Sequence, residues 1–95
     1  MHNPFPALNL AMNIKIRFHP HALERMAERG ATEKEVIETI RHGEQFAAKY
    51  DRAGFRRNFP CESKWHGRSF GAKQIEVFAV KEMEWLIITV MVKYF

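Results

Sequence analysis

Two spacings of apolar residues divide the chain. In IKIRF (14–18), Ile14, Ile16 and Phe18 alternate with Lys15 and Arg17, the period-two pattern of a strand with one buried face. The period then lengthens. Ala22, Leu23, Met26 and Ala27 share one face at about 100° per residue, which predicts a helix. Pro20 suits its first turn, and Gly30 suits the residue just past its last. Thr32 followed three positions later by Glu35 has capping-box spacing and predicts a second helix over 33–42. Val36, Ile37 and Ile40 form its core face, Arg41 and His42 complement its C-terminal dipole, and Gly43 stops it.

After Gly43 the period returns to two. Phe46, Ala48 and Tyr50 alternate with Gln45, Ala47 and Lys49, predicting a strand; Asp51 to Gly54 has turn chemistry, and FRRNF (55–59) alternates again. Residues 60–72, with Pro60, Gly67 and Gly71, read as a loop or an irregular hairpin. QIEVFAV (74–80) and WLIITVMVKYF (85–95) read as two strands joined by the short turn KEME. Residues 1–13 hold two prolines and no sustained period, and read as an arm ahead of one domain spanning 14–95. The order predicts an α+β fold: a strand, then two helices packed on one face of an antiparallel sheet of about four strands.

Composition adds limits. Apolar residues are 46% of the chain and aromatics 13%, enough for a packed core rather than disorder. A single cysteine, Cys61, rules out an internal disulfide and fits a reducing compartment. The longest apolar run, Trp85 to Val92, falls well short of the roughly 20 residues that span a bilayer. The N-terminal segment lacks the pattern of a secretory signal, so no membrane partner and a cytoplasmic location are expected. The net charge of +4 leans toward an anionic partner, and its distribution sharpens that. Arg52, Arg56, Arg57, Lys64, Arg68 and Lys73 crowd the middle, whereas Glu24, Glu28, Glu33, Glu35 and Glu38 belong to the first half. One basic region of the kind nucleic-acid binders use is expected from this segregation.

Candidate chemistry gathers on the first helix. His21, Arg25 and Arg29 are spaced i, i+4, i+8 and form a stripe bordering the apolar face at Ala22. Guanidiniums grip phosphate through a two-pronged fork, and imidazole moves protons near neutral pH. Glu24 and Glu28 lie one turn away, so spacing equally allows a face of exposed ion pairs. His19 and His21 can supply two metal ligands, but no further pair follows at zinc-like spacing, and neither a metal nor another cofactor is expected. Nothing near Cys61 in sequence marks it as a nucleophile.

HALERMAERG (21–30) followed by ATEKEV (31–36) resembles a bacterial family of domains of unknown function. Its members begin with a strand and a helix reading roughly H-A-x-x-R-M-x-x-R-G. They continue with a short acidic helix, a basic middle and a last strand ending near ITV, here Ile88-Thr89-Val90. The likeness covers about residues 14–92. That family is similar to the small RelE-like toxins of the barnase–EndoU–colicin–RelE ribonuclease group. The resemblance implies a RelE-like α+β domain that cuts RNA without a metal, the ribose 2′-OH attacking the adjacent phosphate. Such chemistry needs a base, an acid for the leaving oxygen, and cations for the charged transition state. On this resemblance His21 is the general base or acid, and Arg25 and Arg29, with Lys49 and Arg56, hold the phosphate. Thr89 matches the terminal threonine and orients a phosphate oxygen or His21; Tyr50 stacks on a base, and Arg57 and Arg68 extend the nucleic-acid face. Many relatives pass from that threonine-valine straight to an aromatic, whereas here Met91, Val92 and Lys93 intervene before Tyr94.

The function expected is RNA binding with metal-independent endonuclease activity of toxin type, restrained by an antitoxin-like partner. Two alternatives use the same fold: a non-catalytic nucleic-acid-binding module, marked by salt-sensitive binding to intact RNA, and a protein-interaction module. In the latter an exposed strand or the arm pairs with another chain, including a second copy in a homodimer.

Overall fold

The computed structural model of the chain describes residues 15–95 apart from His66 and Glu82, and describes Ser63 and Trp65 in backbone alone. The arm expected over 1–13, and the start of the first strand at Ile14, lie outside the described residues.

Strand β1 (Ile16–Phe18) leads into helix α1 (Pro20–Arg29). His19 caps this helix with its own ring, and Pro20 occupies the first turn, where its missing N–H costs nothing. At the far end Gly30 takes φ +84°, a left-handed cap that glycine adopts freely, and its N–H returns to the Met26 carbonyl. Helix α2 (Glu33–His42) starts from the reciprocal capping box: Thr32 accepts from the Glu35 N–H, and Glu35 accepts from the Thr32 N–H. Gly43 ends it in extended backbone. Glycine is required there for space, because a Cβ would run into the carbonyl oxygens of Thr39 and Arg56.

Four further strands follow: β2 (Glu44–Ala47), β3 (Ala53–Trp65), β4 (Arg68–Lys81) and β5 (Trp85–Tyr94). The sheet order is β1-β5-β4-β3-β2, with β2 to β5 antiparallel and β1 parallel to β5. Among the described residues the sheet is therefore five-stranded and mixed, close to but not the antiparallel sheet of about four strands expected. Of the two readings of residues 60–72, the irregular hairpin holds and the loop does not. They belong to the β3–β4 hairpin, in which Pro60 sits at a register shift and Gly67 takes φ +77°. Proline is tolerated at such a bulge because the ladder is already interrupted there. The turn expected over Asp51–Gly54 lies earlier, between Lys49 and Arg52, and Tyr50 is in it rather than in a strand. Gly54 belongs to β3 opposite Phe46, whose ring occupies the space a Cβ would need.

α1 packs on β5, and α2 lies across β3 and β4. Ala22, Met26, Val36 and Ile40 from the helices meet Phe55, Ile75, Val77, Ile87 and Val90 from the sheet to form the core. The Phe55 and Trp85 rings cross edge to face at 5.6 Å. Among the described residues, no helix is long and apolar enough to cross a membrane.

Two features set up a site. β1 pairs with β5 no further than Phe18 opposite Ile87, so beyond that point α1 runs beside the outer edge of β5. Just there β5 carries a bulge: Phe78 faces Thr89 and Ala79 faces Ile87, leaving Ile88 unmatched. The extra residue lets both Ile87 and Val90 face the core and turns Thr89 to the side away from it.

Candidate functional site

The first turn of α1 brings two imidazoles together. His19 Nδ1 accepts the His21 backbone N–H at 3.1 Å, and the rings cross at 62° with centroids 5.1 Å apart. With Nδ1 held as an acceptor, Nε2 carries the proton of the neutral His19 ring. Burial of Ala22 and Met26 fixes the rotation of the helix, so that His21, Arg25 and Arg29 line its border toward β5.

A cleft of about 390 Å³ opens between this border and the strand, walled by His19, His21, Arg25, Arg29, Thr89 and Met91, with Ile88 completing it. Arg29 reaches across: its Nη1 donates to the Val90 carbonyl at 2.8 Å and lies 3.3 Å from Met91 Sδ. It makes no ion pair among the described residues. Arg25 instead forms an exposed pair with Glu28, with Nη1 to carboxylate distances of 3.1 and 3.2 Å. The stripe thus combines the two arrangements its spacing allows, one cation paired along the helix and one turned into the cleft. Exposed i,i+3 pairs contribute a few tenths of a kcal/mol, so an entering anion displaces Glu28 at small cost. The His21 ring and the Thr89 hydroxyl make no hydrogen bond among the described residues, which leaves both available to a ligand.

Thr89 and Met91 also wall a second hollow of about 480 Å³, lined by Phe46, Phe78, Lys49, Tyr50 and Arg52. The strand bulge therefore stands between two recesses on the same side of the molecule. Tyr50 and Asp51, at the centre of the β2–β3 turn, both have positive φ, 61° and 57°. The Arg52 guanidinium lies 5.8 Å from the Tyr50 ring. Lys49 and Tyr50 thus line the same hollow as Thr89.

The other cations do not. Arg56 lies on the open face of the sheet but is held by Glu76 at 2.8 Å and Glu44 at 2.9 Å, its guanidinium 4.6 Å from the Phe46 ring. The hydrogen bond to Glu76, with the charges of Glu76 and Glu44, raises its pKa despite opposing desolvation. Its charge is already answered. Arg57, the next residue along the strand, points to the opposite face, toward Glu38 of α2 and over Phe59. Arg68 sits at the tip of the β3–β4 hairpin over Phe70, ten residues along β4 from Phe78 and so roughly 33 Å away at about 3.3 Å per residue. Lys73 is buried and bonded to Glu35 at 2.9 Å. The basic middle of the sequence is therefore dispersed over two faces and a hairpin tip rather than gathered in one region. Tyr94 likewise lies on the helix side, its hydroxyl donating to the Arg29 carbonyl at 2.7 Å.

Phe46, Phe78 and Met91 of the second hollow carry no site signal in the sequence, and Arg52 enters only as one charge of the basic middle. His19 reads only as one of two metal ligands, although its place before Pro20 and two residues from His21 is the signal that pairs the rings. Among the described residues no group of three or more His, Cys, Asp or Glu side chains comes together to hold a metal ion.

Comparison with the curated proteins and with the solved structures finds no match in either. A family model described as "Domain of unknown function (DUF4258)" matches residues 18–92, from the end of β1 through the bulge and most of β5. With most of its length so matched, the chain belongs to this family of domains of unknown function.

Proposed function

We propose that this protein binds RNA and cuts it without a metal ion in the cleft between α1 and β5, as a relative of the RelE-like ribonucleases. One observation carries the reading: two imidazoles, two guanidiniums and a free hydroxyl line a single cleft about the size of a phosphodiester and its sugars. That set meets the needs of transesterification. His21 takes the proton of the ribose 2′-OH as the oxygen attacks the adjacent phosphorus. The bond from phosphorus to the 5′ oxygen breaks, and His19, protonated when its Nδ1 gives up the His21 N–H, delivers a proton from Nε2 to that oxygen. The products are a 2′,3′-cyclic phosphate and a 5′-hydroxyl end, and no further reactant is consumed. Arg29, anchored on the Val90 carbonyl, and Arg25, released from Glu28, stabilise the charge that builds on the phosphoryl oxygens. Thr89 donates its hydroxyl to one of them.

The helix pair laid over the antiparallel strands β2 to β5 agrees with a RelE-like kinship, and an antitoxin-like partner would cover the same cleft in a cytoplasmic toxin. Cleavage of a mixed-sequence RNA in EDTA tests the proposal. His21→Ala should reduce the rate about 10²–10⁴-fold, the usual share of a general acid or base. His19→Asn, which keeps a side-chain acceptor at the cap, should do the same. Unchanged rates in both folded variants would remove the imidazoles from the chemistry.

A further inference from the structure

The hollow beyond Thr89 differs in character from the cleft. Its floor is apolar, with Phe46 and Phe78 crossing edge to face at 6.0 Å, and its volume falls in the range of small-molecule sites. Cations stand on its rim, Lys49 and Arg52, and its inner wall is Thr89 and Met91, shared with the cleft. An occupant of one recess is thus directly adjacent to an occupant of the other.

Tyr50 is placed against its ordinary preferences. It is 82% exposed, so its ring is little buried by packing. Its φ of 61° lies in the left-handed region, where bulky side chains are uncommon and where turns of this kind favour asparagine or glycine. A local strain retained without a packing gain points to a use.

We infer that this hollow is a nucleobase subsite: one base of an RNA strand lies on Phe46, Phe78 and Met91 under the Tyr50 ring, while its neighbouring phosphate occupies the cleft past Thr89. The inference rests on the proposed RNA reading and deepens it, by making the protein a reader of single-stranded rather than paired RNA. A base within a duplex is stacked on both sides and cannot enter. Lys49 and Arg52 then meet the backbone on the far side of the base, so the two recesses form a track along the strand. Stacking of this kind tolerates different bases, because every base offers a π-face.

Binding of short fluorescent 2′-O-methyl oligonucleotides, which cannot be cut by 2′-OH attack, separates the parts. The wild-type protein should bind a base-bearing strand roughly tenfold tighter than an abasic strand of equal length. Tyr50→Asn, whose side chain accepts positive φ, should lose that preference, and Tyr50→Phe should keep it. Arg25→Ala should weaken both strands alike. Equal wild-type affinity for the two strands would overturn the base subsite while leaving the phosphate cleft standing. A preference undiminished in Tyr50→Asn would also overturn it. Failure of the wild-type protein to bind either strand would overturn both readings.

Discussion

Replacing Lys73 with methionine should loosen the joint between the helices and the sheet. Lys73 lies on β4 among the core residues, 8% exposed, and its Nζ donates to the Gly30 carbonyl at 2.7 Å and to Glu35 Oε1 at 2.9 Å. The first bond satisfies a carbonyl at the C-terminus of α1, where cations are favoured; the second holds the carboxylate that closes the capping box of α2. Methionine keeps the packing of the stem and deletes both bonds. Hydrogen bonds to charged groups contribute about 1.5–3 kcal/mol each. Glu35 is about a quarter exposed, so its share is reduced by solvent, and a total loss of about 2–3 kcal/mol is expected. For a domain of this size that lowers Tm by roughly 10–20 °C, read by circular dichroism at neutral pH.

The loss should also depend on pH. Burial alone would raise the Glu35 pKa, but the hydrogen bonds from Lys73 and Thr32 and the charge of Lys73 outweigh it and bring it below the ordinary 4.5. A carboxylate with a lowered folded pKa stabilises fully above its unfolded value and loses that contribution as pH falls through the folded one. The gap between wild type and Lys73→Met should therefore be widest above pH 4.5 and shrink below it. A Tm within a few degrees of wild type at neutral pH, or a gap that stays constant into acid, would refute the reasoning.

Gly43→Ala should cost about 1–3 kcal/mol in urea denaturation, because the added methyl meets two backbone oxygens that cannot swing aside; a neutral substitution would contradict the close approach. Tyr94→Phe removes the hydroxyl donor to the Arg29 carbonyl and should cost about 1 kcal/mol by the same measurement. RNA affinity should fall linearly with salt on logarithmic axes, and Arg25→Ala should reduce that slope by about one phosphate contact, while Arg68→Ala, far along β4, should leave it unchanged.

The helices were legible because their ends are written in local chemistry: Pro20 and Gly30 bracket one, Thr32 and Glu35 open the other, and none depends on distant residues. The β3–β4 hairpin was legible only as one of two options, a loop being the other. Pro60, Gly67 and Gly71 all carry turn chemistry, yet only Gly67 turns the chain, while Pro60 precedes a bulge and Gly71 lies within β4. Gly54 misled in a similar way, its lack of a side chain serving the Phe46 ring across the ladder rather than a turn. The parallel pairing of β1 with β5 joins ends of the domain with no local sequence signal between them. In the site, helical spacing brought His21, Arg25 and Arg29 together, because α1 is regular. Thr89 depended on the family likeness, since its orientation comes from a bulge that period-two counting does not register. Arg56 and Arg57 show the limit of charge counting: adjacent in sequence, they face opposite sides, and acidic neighbours on other elements pair with each.

The most direct test of the account is the chemistry of the ends produced when wild-type protein meets RNA in EDTA. Mass spectrometry should find 2′,3′-cyclic phosphate and 5′-hydroxyl termini, and a strand with deoxyribose at the cut positions should remain whole. Intact RNA after incubation with the folded protein, or ends bearing a 5′-phosphate, would contradict the assignment of the cleft to 2′-OH transesterification.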